Sequence, residues 1–217
     1  LLHRQSGLAD CHDVNCVSYP QDEAHSYDQL AAAAIQRLGQ HGPGVLLAES
    51  FGGAVALTVA LTAPALVRRM VLVNTFAYFP RRPLIRLAAL VGRGFPHRPS
   101  PSSARGLRGL FFFGPDIPPG LRTEWWERTA DVPLSAYGHR LGMVAALDLR
   151  ARLSEIAIPT LVIVAPNDRV VPPSAGRALA RRLPRARLLE VRAGHAAMIH
   201  PDVNIGRLLA DAALWAS

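Results

Sequence analysis

At 217 residues, half of them apolar and 18% charged, the chain has material for one substantial core and too few charges for a disordered protein. No apolar run approaches the roughly 18 residues of a membrane span, and Leu84 to Gly92 is interrupted by Arg86, so a soluble, by default cytoplasmic, protein is expected. The net charge of +8 does not argue for nucleic acid: all 24 basic residues are arginine, spread over both halves with no nucleic-acid motif around them. Weak attraction for anionic ligands is what remains of that charge.

Cys11 and Cys16 flank His12 and Asp13, but no second pair of ligands follows at zinc-like spacing, and no metal site is expected. Val14, Cys16 and Ser18 alternate as a half-buried strand would. The first clear helix begins at Ser26, where Ser-Tyr-Asp-Gln forms a capping box, and is expected to run to Leu38 and stop at Gly39. Val45-Leu46-Leu47-Ala48 reads as a buried parallel strand, followed by a helix over 52–63 that ends before Pro64.

Met70-Val71-Leu72-Val73, within 69–74, and Leu161-Val162-Ile163-Val164, within 160–165, repeat the buried-strand pattern. A helix from Pro173 to Pro184, a strand over 187–192 and a last helix from Asp202 complete the series. In that last helix Ile205, Leu208, Leu209 and Ala212 recur at helical spacing and are expected to face the sheet. Strands alternating with helices imply a parallel sheet.

Between 76 and 152 the pattern gives way to proline, glycine and arginine, with aromatic groups at Phe111-Phe112-Phe113 and Trp125-Trp126. Because the strand pattern resumes at Thr160, this segment reads as a lid inserted into one domain made of 1–75 and 153–217. Its aromatic residues either line an acyl pocket or anchor the lid. Its arginines, among them Arg81, Arg82, Arg105 and Arg108, read as solvated surface.

Ala48-Glu49-Ser50-Phe51-Gly52-Gly53 between a strand and a helix has the form of a nucleophile elbow, with small residues two before and two after the serine. The usual first glycine is Ala48. The Phe51 backbone amide, at the start of the helix, would point at an oxyanion formed beside Ser50. A serine that merely caps the helix produces the same local pattern. Two further residues separate the readings: Asp168 and His195 each follow a predicted strand, and all three sit at carboxyl ends of strands, where open α/β sheets place ligands. Histidine accepts the serine proton, and the aspartate fixes its tautomer and stabilises the imidazolium.

Ala-Glu-Ser-Phe-Gly-Gly, then Pro-Thr-Leu-Val-Ile-Val-Ala-Pro-Asn-Asp-Arg-Val-Val-Pro, then Ala-Gly-His followed by His-Pro together resemble the α/β-hydrolase superfamily over about 14–75 and 153–216. The resemblance implies a mostly parallel sheet flanked by helices and a triad of Ser50, Asp168 and His195. It also implies ester hydrolysis through an acyl-enzyme on a small-molecule substrate, with no metal or organic cofactor; the oligomeric state is left open. Asp148 is a rival for Asp168 but precedes its strand. His200 is a rival for His195 but stands before Pro201. Glu49 is a candidate second acid, although a side chain there is expected to point away from the serine hydroxyl.

The fold's second oxyanion amide comes from a loop after an earlier strand, marked by His-Gly or a glycine run. Only Gly7 precedes Ser26, so an amino-terminally shortened chain is expected. Rival functions are acyl transfer or cofactor-free peroxidation at the same triad, and a non-catalytic remnant that acts as a binding protein.

Overall fold

The computed structural model describes residues 8, 12–19, 25–94, 109, 112–113, 117–129 and 134–215. The readings of Gly7, Cys11, Arg105, Arg108 and Phe111 lie outside the described residues. Helix α1, Tyr27–His41, starts as expected, with the Ser26 hydroxyl accepting from the Gln29 amide and the Gln29 side chain answering the Ser26 amide. It does not stop at Gly39. Gly42, at φ 84°, is the residue that leaves the helix, in a conformation that costs glycine little, and Pro43 follows.

Strand β1, Gly44–Glu49, helix α2, Phe51–Thr62, and strand β2, Val67–Val73, come next. Between β2 and the next strand the described residues include helices α3, Arg82–Arg93, α4, Pro119–Thr129, and α5, Leu134–Ala146. Strand β3, Thr160–Val164, helix α6, Pro173–Arg182, strand β4, Ala186–Glu190, and the short helix α7, Ile205–Ala210, complete the described elements.

The four strands form one parallel sheet in the order β1-β2-β3-β4. Side chains alternate between its faces. Leu46, Ala48, Met70, Leu72, Val162 and Val164 meet α1, α2 and α6, while Leu47, Val71, Val73, Leu161 and Ile163 meet Ala193, Ala197, Met198 and α7. Covering both faces is what makes Met70–Val73 of β2 and Leu161–Val164 of β3 continuous apolar runs. Helix α2 is correspondingly apolar all round, buried from Gly53 to Ala60.

Two expectations are corrected. Residues 13–18 form no strand and are exposed, Val14 and the free Cys16 included; alternation makes a strand only where an edge pairs with it, and among the described residues β2 alone pairs with β1. The last helix starts at Ile205 under an Asn204 cap rather than at Asp202, and it ends at Ala210. Ile205 is fully buried and Leu208 and Leu209 pack on the sheet, but Ala212 lies in a separate 3-10 turn opened by the Asp211 side chain and is exposed.

Between β2 and β3, α3 crosses α5 at Gly138, where a Cβ would overlap the backbone of Ala89, Gly92 and Arg93. Arg82 is no solvated surface residue: its guanidinium lies 4.2 Å from the Tyr78 ring centroid and bonds the Leu147 carbonyl. Among the described residues no helix is long and apolar enough to cross a membrane.

Candidate active site

Ser50 occupies the sharp turn between β1 and α2 with φ 54° and ψ −122°, a region that non-glycine residues enter only under constraint. Its backbone is fixed on both sides. The Ser50 amide donates to the Val73 carbonyl at 2.9 Å, extending the β1–β2 ladder, and its carbonyl accepts from the Gly53 amide at 3.0 Å and the Thr75 hydroxyl at 2.6 Å. The hydroxyl makes no cap bond to α2, which removes the reading of Ser50 as a mere helix cap. A Cβ on Gly52 would stand 3.8 Å from the Ala48 Cβ, so the small residues around the serine do allow strand and helix to approach. Gly53 is the stricter position, because a Cβ there would overlap the Thr75 side chain.

Asp168 lies in the loop after β3, its amide bonded to the Ala165 carbonyl at 3.0 Å. One carboxylate oxygen accepts from the Val170 and Val171 amides at 2.8 and 3.0 Å, and the other meets His195 Nδ1 at 2.8 Å. The two side chains are 1% and 6% exposed, so three hydrogen bonds replace the water that the buried carboxylate has lost. A carboxylate only accepts, so Nδ1 carries a proton and the other ring nitrogen, Nε2, is left as the basic atom.

The loop that carries His195 is held from three directions. Asn74, directly after β2 at φ 45°, donates from Nδ2 to the carbonyls of Gly194 and His195 at 3.1 and 2.8 Å, and its Oδ1 accepts from the Ala165 amide at 2.8 Å. The Ala196 amide donates to the Phe112 carbonyl at 2.9 Å. Glu49 Oε1 accepts from the Met198 amide at 3.1 Å. Thus Val73, Asn74 and Thr75, three consecutive residues, touch both the Ser50 backbone and the His195 backbone and bring these two places to one end of the sheet.

The aromatic group expected over this edge is present in part. Phe112 stands edge-on to the His195 ring with centroids 5.3 Å apart, and it also meets Trp125 at 5.0 Å and Trp126 at 6.4 Å. Phe113 packs against both tryptophans, and with Ile117, Ala196 and Ile199 these rings form a small core of their own.

The rivals are placed elsewhere. Asp148 is ion-paired with Arg150 at 2.7 Å, which holds its carboxyl well below the usual range, at about 2. His200 is buried, its Nδ1 accepting from the Asp202 amide at 3.2 Å. Glu49 reaches the His195 loop, where its Oε1 accepts from the Met198 amide. Asn74 and Thr75 are missing from the sequence reading; their only signal is two polar residues directly after the apolar run 70–73. Among the described residues no cluster of three or more His, Cys, Asp or Glu could hold a metal ion.

A strained serine thus follows one parallel strand, and a buried aspartate–histidine pair follows two others, on an α/β sheet covered on both faces. Residues 5–205 match the alpha/beta hydrolase family, and the chain belongs to it. It is 30% identical over 216 residues to the polyketide synthase ThaQ of Burkholderia thailandensis, covering 92% of this chain and 10% of that protein. It is 31% identical over 180 residues to the protein provisionally designated carbamate hydrolase RutD in Variovorax paradoxus, covering 76% of this chain and 64% of that one. The chain therefore spans less than two thirds of the length of these relatives. Among solved structures, the enol-lactonase of Burkholderia xenovorans LB400 has the same fold, with a TM-score of 0.76 at 21% identity over 88% of this chain and 74% of that one.

Proposed function

We propose that this chain is a serine hydrolase that cleaves small or medium carboxylic esters through an acyl-enzyme. Ser50 is the nucleophile, His195 the general base and Asp168 the acid that orients it. The observation that carries this reading is the buried 2.8 Å pair of Asp168 and His195, which fixes one imidazole tautomer at the end of the sheet where Ser50 turns.

In the first step the Ser50 hydroxyl gives its proton to His195 Nε2 as its oxygen bonds the ester carbonyl carbon. The carbonyl oxygen takes up the negative charge, facing the Phe51 amide at the start of α2. Collapse breaks the bond to the alcohol oxygen, which leaves with the proton from Nε2. Water then repeats the sequence on the acyl-enzyme, giving its proton to Nε2, and Ser50 leaves protonated while the acid is released.

Segment 76–152 serves as a lid in this reading. Phe112 against His195, with Trp125 and Trp126 behind it, supports an apolar acyl group beside the base. The test is a series of p-nitrophenyl esters from acetate to octanoate. Wild type is expected to release a burst of nitrophenolate equivalent to the enzyme and then turn over, and Ser50→Ala to do neither. A rate unchanged in Ser50→Ala contradicts the assignment.

A further inference from the structure

The strand that delivers Ser50 also delivers a carboxylate to the histidine. Along β1 the side chains alternate, so Leu46 and Ala48 meet the α1–α2 face while Leu47 packs on the opposite face among Ala193, Ala197 and Met198. Glu49 shares the face of Leu47. There its Oε1 accepts from the Met198 amide at 3.1 Å, three residues beyond His195, with the Ala197 amide beside it. The titratable groups that face it are His195, on the loop after β4, and Asp168, on the loop after β3.

We propose that Glu49 is a positioning residue for the reaction: it pins the His195 loop to the end of β1 and, when ionised, sets a second negative charge beside the Asp168–His195 pair that strengthens His195 as a base. The proposal rests on the hydrolase reading for its catalytic half. Burial pushes the Glu49 carboxyl up to about 7; His195 and the Met198 and Ala197 amides pull it down, and Asp168 adds to the rise. Its charge therefore changes within the range in which a histidine-based hydrolase works.

A carboxylate that only pegs the loop and one that also tunes the base differ in one respect. Glutamine at 49 keeps an acceptor for the Met198 amide and removes the charge, whereas leucine removes both. The measurement is the rate of labelling by a fluorophosphonate from about pH 5.5 to about pH 9 in wild type, Glu49→Gln and Glu49→Leu. The ratio of wild type to Glu49→Gln is expected to rise from near unity at the acid end to about threefold or more at the alkaline end, because only there do the two differ in charge. Glu49→Leu is expected to be slower than Glu49→Gln at every pH. A ratio that stays flat across the range overturns the proposal.

Carbon-13 NMR of labelled glutamate and histidine supplies a readout independent of catalysis. A Glu49 carboxyl step near neutrality, accompanied by a shift of the His195 ring signals that disappears in Glu49→Gln, supports the coupling. A Glu49 that titrates in the ordinary carboxylate range, or a His195 signal indifferent to it, overturns it. Wild type that no fluorophosphonate labels at any pH would sink the hydrolase reading, while the NMR titration would still decide the role of Glu49.

Discussion

Asn74 clamps His195 to the neighbouring strand: its Nδ2 donates to the His195 carbonyl at 2.8 Å while its Oδ1 accepts from the Ala165 amide at the end of β3. With the bond to Gly194, one buried side chain satisfies three backbone groups. Asn74→Ala would leave them without partners at a cost of about 2–4 kcal/mol. Urea unfolding should show that loss, and serine labelling should slow more than the folded fraction alone explains. A stability within about 0.5 kcal/mol of wild type would contradict the clamp.

The elbow depends equally on Gly53. A methyl group there would collide with Thr75, whose hydroxyl holds the Ser50 carbonyl. Gly53→Ala is expected to destabilise by about 2–3 kcal/mol through overpacking. Thr75→Gly, which removes the colliding atoms, should recover part of that loss in the double variant. A double-mutant cycle in urea checks this: a coupling of about 1 kcal/mol or more is expected, and simple additivity would show that the collision is relieved elsewhere.

Asp168→Asn separates charge from shape. The asparagine carbonyl can still accept from Val170 and Val171, but its amide faces His195 Nδ1 and favours the wrong tautomer. Ester turnover is expected to fall by about 10³- to 10⁴-fold while circular dichroism and the unfolding midpoint stay close to wild type. Turnover within about tenfold of wild type would remove Asp168 from the orienting role.

Much of this architecture is legible from local sequence because its causes are local. The Ser26–Gln29 capping box, the apolar runs of β1, β2 and β3 and the small residues around Ser50 each act within a few positions. What escapes depends on partners far away in the chain. Asn74 acts across 121 residues, and Glu49 across 149. Val14, Cys16 and Ser18 alternate without a paired edge, and Gly39 resembles a helix stop although the turn is made at Gly42. A polar residue that directly follows a buried strand, as Asn74 does, is a signal that a loop from another strand arrives there.

Glu49 also links stability to pH. Its carboxyl is raised from the ordinary 4.5 to about 7 in the folded chain, so folding holds a proton that the unfolded chain releases. That contribution is complete below about pH 4.5 and is lost as the pH rises through about 7. Glu49→Gln should therefore gain stability relative to wild type between those values and keep a constant advantage above them. Urea midpoints of both proteins across this range check the sign; an advantage that shrinks with rising pH would contradict it.

The proposed role of His195 is to activate Ser50. Its most direct test is labelling of the purified chain with a fluorophosphonate, with the modified peptide located by mass spectrometry, in wild type, Ser50→Ala and His195→Ala. One label per chain on Ser50 is expected, absent from Ser50→Ala and nearly absent from His195→Ala while both variants remain folded. Folded wild type that takes no label, or a label that persists in either variant, would contradict it.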